Sequence, residues 1–177
     1  MTALTRSPSN TNLLHPNKFT MSFGRVPNME YFCQGVSLPG ISMSEVPRQN
    51  PFVDLYSPGE KAIYDMLNVT FYIDEELKTW LEIHDWIRGM TFPTDFAEYV
   101  NLRNLSPNIS NTATPQYSDA VLTLYSSANI PYFRFKFYDC FPTSLSTFFV
   151  TSTDSPENPI TADCTFRFSY YNVDKLF

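Results

Sequence analysis

The stretch VTFYIDEELKTWLEIHDWIRGMTFP, Val69 to Pro93, changes periodicity part-way along. Up to Ile73 the residues alternate, with Leu67, Val69, Phe71 and Ile73 on one side and Asn68, Thr70 and Tyr72 on the other, the pattern of a strand with one buried and one polar face. From Asp74 the spacing shifts to threes and fours. Leu77, Trp80, Leu81, His84 and Ile87 then form one stripe, flanked by Ile83 and Trp86, as on an amphipathic helix. Asp74 is placed to cap that helix, Glu75 and Glu76 stand where its dipole favours negative charge, and Gly89 offers a left-handed terminus. A strand feeding straight into a helix predicts that the helix covers the Leu67/Val69/Phe71/Ile73 face. Glu75, Glu82 and Asp85 are then left on its outer side.

Around this unit the chain reads as strand and loop. Its 177 residues suit one domain, and fourteen prolines, sixteen phenylalanines and eleven tyrosines against five glycines favour strands broken by turns. Residues 1–17 are rich in Ser, Thr, Asn and Pro and predict a flexible arm before a single domain at 18–177. KFTMSF and MEYFCQGVSLPG read as two strands of a hairpin joined around Gly24 to Asn28. The Pro-punctuated segment that follows, Gly40 to Lys61, is longer than a hairpin needs and is expected to be a functional loop. Residues 93–118 are loop-like, with TDFAEYVNL able to form a short turn of helix. SDAVLTLYSS, YFRFKFYDC and ADCTFRFSYYNV read as further strands, with LSTFFVT as a shorter one. The fold class expected is therefore mainly β, a barrel or sandwich with one flanking helix.

The chemistry of an enzyme is missing from the pattern. His84 lies toward the apolar stripe and His15 in the arm, and neither a nucleophile elbow, a zinc-protease helix nor a phosphate-cradling glycine loop occurs. The carboxylates of the helix are accounted for by its start and its solvated side. Three widely spaced cysteines, Cys33, Cys140 and Cys164, suggest neither disulfides nor a zinc knuckle, so no cofactor or metal is expected. A formal charge of −6 argues against gripping nucleic acid. In YFRFKFYDC the cations share one face and the phenylalanines the other, which is the pattern of a core strand rather than an RNA platform. The first residues have no apolar stretch long enough for a signal peptide and nothing later approaches a membrane span, so a soluble protein with no membrane partner is expected. A long polar loop, a polar arm and strands with one polar face together suggest assembly.

An ordered set of landmarks then carries a resemblance. NKFTMSF, EYFCQGVSLPGIS, the Pro-Gly at 58–59, LNVTFYIDEELKTWLEIHDWIRG, YSDAVLTLY, FPTSLSTFFV and ADCTFRFSYYNV, from about Pro16 to Val173, resemble the tail tube proteins of contractile-tailed, T4-like bacteriophages. The resemblance implies six copies to a ring, with neighbouring sheets joined edge to edge. The rings stack into the inner tube of the virion tail, assembled in the host bacterial cytoplasm, and DNA leaves through its lumen without specific binding. It implies a long loop that reaches the adjoining ring, here Gly40, Ser44, Glu45, Arg48, Gln49, Asn50, Asp54, Tyr56, Glu60 and Lys61. The polar strand face, Asn68, Thr70 and Tyr72, suits a water-filled lumen. The partners implied are the chain itself and the sheath, tape measure and baseplate proteins. A tube initiator of the baseplate shares the fold and stands as the alternative role, followed by a ring protein of a type VI-like injection system and, further off, a carbohydrate-binding sandwich. The polar extension before Pro16 and the Asn/Ser/Thr-rich insert at Leu105 to Gln116 depart from the family pattern.

Overall fold

The computed structural model describes residues 12–104, 115–152 and 159–176. The strands are β1 (Phe19–Phe23), β2 (Cys33–Ser37), β3 (Ile41–Arg48), β4 (Leu55–Tyr64), β5 (Leu67–Tyr72), β6 (Ser118–Tyr125), β7 (Pro131–Leu145), β8 (Thr161–Arg167) and β9 (Tyr170–Lys175). Among the described residues three helices accompany them, α1 (Met29–Phe32), α2 (Lys78–Thr91) and α3 (Ala97–Asn104). The fold is mainly β, as expected, but α2 is not the single helix foreseen, because α3 packs against it.

Strand order is β1-β6-β7-β8-β5-β2, antiparallel at each pairing, with β9 added on β7. The architecture turns on the fifteen-residue β7. Its first part pairs β6 and β9, with Phe137 opposite Ala120 and Tyr171, and its second part pairs β8, with Phe141 opposite Arg167. At the join Asp139 adopts φ 55°, and register shifts occur on either side. A strand that bends there can serve two sheets, so the inner faces of both close on one core. Met21, Phe23, Leu67, Val69, Phe71, Phe137, Cys140, Cys164 and Phe166 are all buried in it, and Phe23 of one sheet stacks on Phe166 of the other with ring centroids 4.6 Å apart.

The alternation of β5 comes out as Leu67, Val69 and Phe71 fully buried and Asn68, Thr70 and Tyr72 toward solvent, with Ile73 half-buried beyond the strand. Several other expectations are corrected. The first two strands form no hairpin: β1 pairs β6 and β2 pairs β5, because Val26 and Met29 are drawn fully into the core and carry the connection across its end. The Gly40 to Lys61 segment is not a loop but most of a β3–β4 ribbon, a two-stranded sheet of its own. LSTFFVT forms no strand beyond Leu145, where β7 ends. Phe148 there turns edge-on to Trp80, and Phe149 and Val150 are exposed.

The helix starts later and ends later than its caps suggested. Asp74 closes a turn by accepting the Leu77 N–H at 3.0 Å, Glu75 and Glu76 belong to that turn, and Leu77 holds a left-handed conformation at the N-cap. Gly89 is interior. A Cβ there would come within 2.9 Å of Leu102 Cβ, so the glycine admits α3, and the left-handed terminus is Phe92 instead. With α3 on that side, the buried stripe is Thr79, Ile83, Trp86 and Gly89. The expected set is displaced: Leu77, Trp80, His84 and Ile87 are half-buried and Leu81 is exposed. Ile83 and Trp86 join the same core as Leu67, Val69 and Phe71, with the Trp86 ring 6.2 Å from that of Phe166. Among the described residues no helix is long and apolar enough to cross a membrane.

Candidate functional site

Three surface features stand out, and none is a catalytic pocket. The first is the β3–β4 ribbon. Every residue of β3 is exposed, and so is most of β4. The residues expected in a stacking loop lie along it in order. Gly40 is at the base, where its carbonyl accepts the Asp65 N–H at 3.1 Å. Gln49, Asn50 and Asp54 are at the tip, Glu45 is opposite Pro58, Arg48 opposite Leu55 and Tyr56 opposite Pro47. Glu60 and Lys61 fall in the irregularity opposite Ser44, where Gly59 lies so close that a Cβ would meet the Ser44 backbone.

The apolar half of the ribbon escaped the sequence reading. Ile41, Met43, Val46, Phe52, Val53, Leu55 and Ile63 are all at least half exposed, Phe52 at 95%. They lie on both faces of the ribbon, Ile41 and Met43 on one and Ile63 beside Ser42 on the other, and a monomer has little use for so much exposed apolar surface. The Ile41/Met43 alternation with Ser42 and Ser44 was the signal available in the sequence; the surrounding prolines and polar residues masked it.

The second feature is the polar face of β5 and β8. Thr165 Oγ1 donates to Asn68 Oδ1 at 3.0 Å, and Thr70 Oγ1 donates to Asp163 Oδ1 at 2.6 Å, each pair directly opposite in register. Thr143 Oγ1 donates to the Thr165 carbonyl at 3.0 Å, and the Asp163 N–H donates to Ser146 Oγ at 2.8 Å. Tyr72 continues the row opposite Thr161. Two cross-strand side-chain pairs of this face are thus hydrogen-bonded, and the one carboxylate in them, Asp163, is held by a hydroxyl. The third feature is open edges, since β1, β2 and β9 each pair on one side only among the described residues. Unpaired edges template strand addition from another chain.

The helical side is less uniform than its outward carboxylates suggested. Glu75 and Asp85 are exposed, with Asp85 3.1 Å from His84 Nδ1. Glu82 is half-buried: Oε1 accepts from Asn28 Nδ2 at 2.7 Å while Oε2 is buried with no partner. Burial chiefly, and the charge of Asp74 to a lesser degree, push its carboxyl above the usual range against the opposing pull of the Asn28 hydrogen bond. Arg25 lies over the Trp86 ring at 5.2 Å and donates to the Leu102 carbonyl at 3.4 Å, its own pKa lowered by burial. Arg25, Glu82, Asp85, Trp86 and Leu102 line an open cleft of about 1000 Å³ between α2 and α3. Burial also raises all three thiols, Cys33 to about 11 and Cys140 and Cys164 further, so none is a ready nucleophile. No group of metal-ligating residues occurs among the described residues.

Comparison with known proteins agrees with surfaces built for assembly. The family model described as phage tail tube protein matches residues 6–174. The tail tube terminator protein of Enterobacteria phage T4 is 26% identical over 121 residues, which is 67% of this chain and 61% of that protein. The chain therefore spans about three-fifths of the length of that relative. Among solved structures, a chain in the PVC sheath–tube complex of an extracellular contractile injection system, in the extended state, shares the fold with a TM-score of 0.56 and 15% identity, covering 94% of each chain. A chain in the sheath/tube terminator structure of such a PVC system gives 0.58 and 15%, covering 93% of this chain and 99% of the other. The tube-terminating cap of the anti-feeding prophage gives 0.58 and 12%, with 99% of both chains covered. With the family match extending over nearly its whole length, the chain belongs to the phage tail tube protein family.

Proposed function

We propose that this protein forms hexameric rings that stack into the inner tube of a contractile phage tail, through which DNA is ejected. The observation that carries the reading is the β3–β4 ribbon, a two-stranded sheet of its own whose apolar side chains lie exposed outside the core. Gly40, Ser44, Glu45, Arg48, Gln49, Asn50, Asp54, Tyr56, Glu60 and Lys61 flank its apolar residues and supply the polar rim of that contact. Lateral closure falls to two of the open edges, one meeting the subunit on each side, and a closed ring leaves neither of those two free.

Asn68, Thr70 and Tyr72, with Asp163 and Thr165, line the lumen in this reading. The Thr70 and Thr165 hydroxyls already donate to Asp163 and Asn68, and the subunit carries a charge of −6, so phosphates find little to hold them and DNA slides. The exposed carboxylates Glu75 and Asp85 are available to the surrounding sheath, while baseplate and tape measure proteins meet the tube at its end and within it.

A concentration series followed by light scattering and negative-stain electron microscopy tests the reading. Sixfold rings or hollow tubes are expected. A monomer that neither assembles alone nor adds to isolated baseplates overturns it. The T4 relative favours a second, narrower role, a single terminating ring rather than the repeating one. Stoichiometry separates the two: quantitative mass spectrometry of intact tails gives many rings per particle for a tube subunit and six copies for a terminator.

A further inference from the structure

The base of the ribbon is held at one corner of the fold. The Tyr64 ring packs against Phe168 at 5.6 Å and Tyr171 at 5.3 Å between centroids, and its carbonyl accepts from Arg167 Nη1 at 3.2 Å. Arg167 ends β8, Phe168 lies in the turn that follows and Tyr171 sits in β9. Tyr171 in turn packs on Phe137 at 5.5 Å and on Phe135 at 6.2 Å, inside the main sheet. Tyr64 thus inserts the last residue of an otherwise exposed ribbon into an aromatic cluster that also sets the position of β9, a strand whose outer edge is unpaired.

We propose that this cluster couples the ribbon to the edge strand β9, with Tyr64 and Arg167 as the positioning residues. The proposal rests on reading the ribbon as the ring-to-ring contact and the edges as the lateral contact, and it adds a dependence of one on the other. Close-packed aromatic side chains shift as a group rather than singly, so ordering the ribbon against a neighbouring ring holds Tyr64, and Tyr64 holds Tyr171 and β9 in the pairing geometry. Linkage makes the effect reciprocal: a subunit whose β9 edge is paired presents its ribbon in the stacking orientation. A subunit joining an existing ring then closes sideways more readily than two free subunits meet.

Amide hydrogen exchange on the full chain, at a concentration where sedimentation shows a single species, tests the coupling without requiring assembly. Val46→Gly loosens the ribbon and Val173→Gly loosens β9; both side chains are about half exposed and neither is in the cluster. The expected result is cross-talk of about tenfold, within the range usual for coupled sites, with β9 amides exchanging faster in V46G and ribbon amides faster in V173G. Tyr64→Phe keeps the cross-talk and Tyr64→Ala abolishes it in both directions. Changes confined to the substituted element, or cross-talk that persists in Y64A, overturn the proposal. Should Y64A not fold, the two glycine variants decide by themselves. This outcome is independent of the stacking reading, which fails instead if rings or tubes do not form.

Discussion

Trp86 and Trp80, six residues apart on α2, have different roles. Trp86 is fully buried, its Nε1 donates to the Gln116 carbonyl at 2.9 Å and its face carries Arg25. Trp80 is half-buried, stacked on His84 and touched edge-on by Phe148. Trp86→Ala is expected to cost about 3–5 kcal/mol in chemical denaturation, and Trp80→Ala distinctly less. Equal losses would mean that the helix is rotated relative to the core. Glu82 supplies a pH signature. Its folded pKa is raised, so the folded state holds the proton more tightly than the unfolded chain, and the stabilising effect of protonation is lost as pH rises through the folded value. Glu82→Gln keeps an acceptor for Asn28 and removes the buried charge. Its stability should match or exceed that of the wild type at neutral pH, and the slope of stability just above the ordinary carboxylate range should flatten. An unchanged slope would place the titration elsewhere.

At the scale of elements the ribbon beyond its anchor Tyr64 is separable from the core, because its other apolar residues are exposed and contribute no buried surface to it. Removing part of Asn50 to Pro58 should leave thermal unfolding of the body within about 0.5 kcal/mol of wild type, while stacking in the electron microscope is lost. Variants that still elongate would end the assignment of the ribbon as the ring-to-ring contact. Gly59 is the residue on which the ribbon's own geometry depends. A methyl group there lies within 2.9 Å of the Ser44 carbonyl carbon and closer still to its oxygen, which is backbone and cannot swing aside. Gly59→Ala should therefore cost the ribbon about 1–3 kcal/mol, read as faster amide exchange in β3 and β4 and, through Tyr64, in β9, with β5 and β8 unaffected.

At the scale of the whole molecule, the β5–β8 face and the open edges have to be used together. If the rings close through the edges with that face inward, Asn68→Cys is reachable by a small maleimide in assembled tubes and shielded from a protein-sized one. In free subunits both reagents react. Labelling of intact tubes by the large reagent along their length would put the face on the outside. In the proposed ring the ribbon meets a neighbour above and the edges a neighbour beside, as stacking of closed rings requires of each subunit.

Much of this was legible in the chain itself. The alternation through Leu67, Val69 and Phe71 specified a half-buried strand, because a period of two leaves only one way to bury those three side chains. The spacing after Asp74 specified a helix, which the structure begins only at Lys78, and the ordered aromatic and proline landmarks pointed to the family. Which stripe of that helix is buried depended on α3 arriving at Gly89, and a partner packed from elsewhere in the chain leaves no mark on local periodicity. The hairpin reading of β1 and β2 failed for a related reason: both strands carry good local pattern, but pairing is decided by which long-range partner buries the same core, and Val26 and Met29 took the connection across it. The ribbon had the composition of a loop, and only pairing of Ile41–Arg48 with Leu55–Tyr64 turned its scattered apolar residues into one exposed sheet. Outside the ribbon and the segment after Leu145, local sequence determined the elements and their polar faces; the tertiary structure alone decided which faces meet and which are left open, because burial is a property of contacts between distant residues.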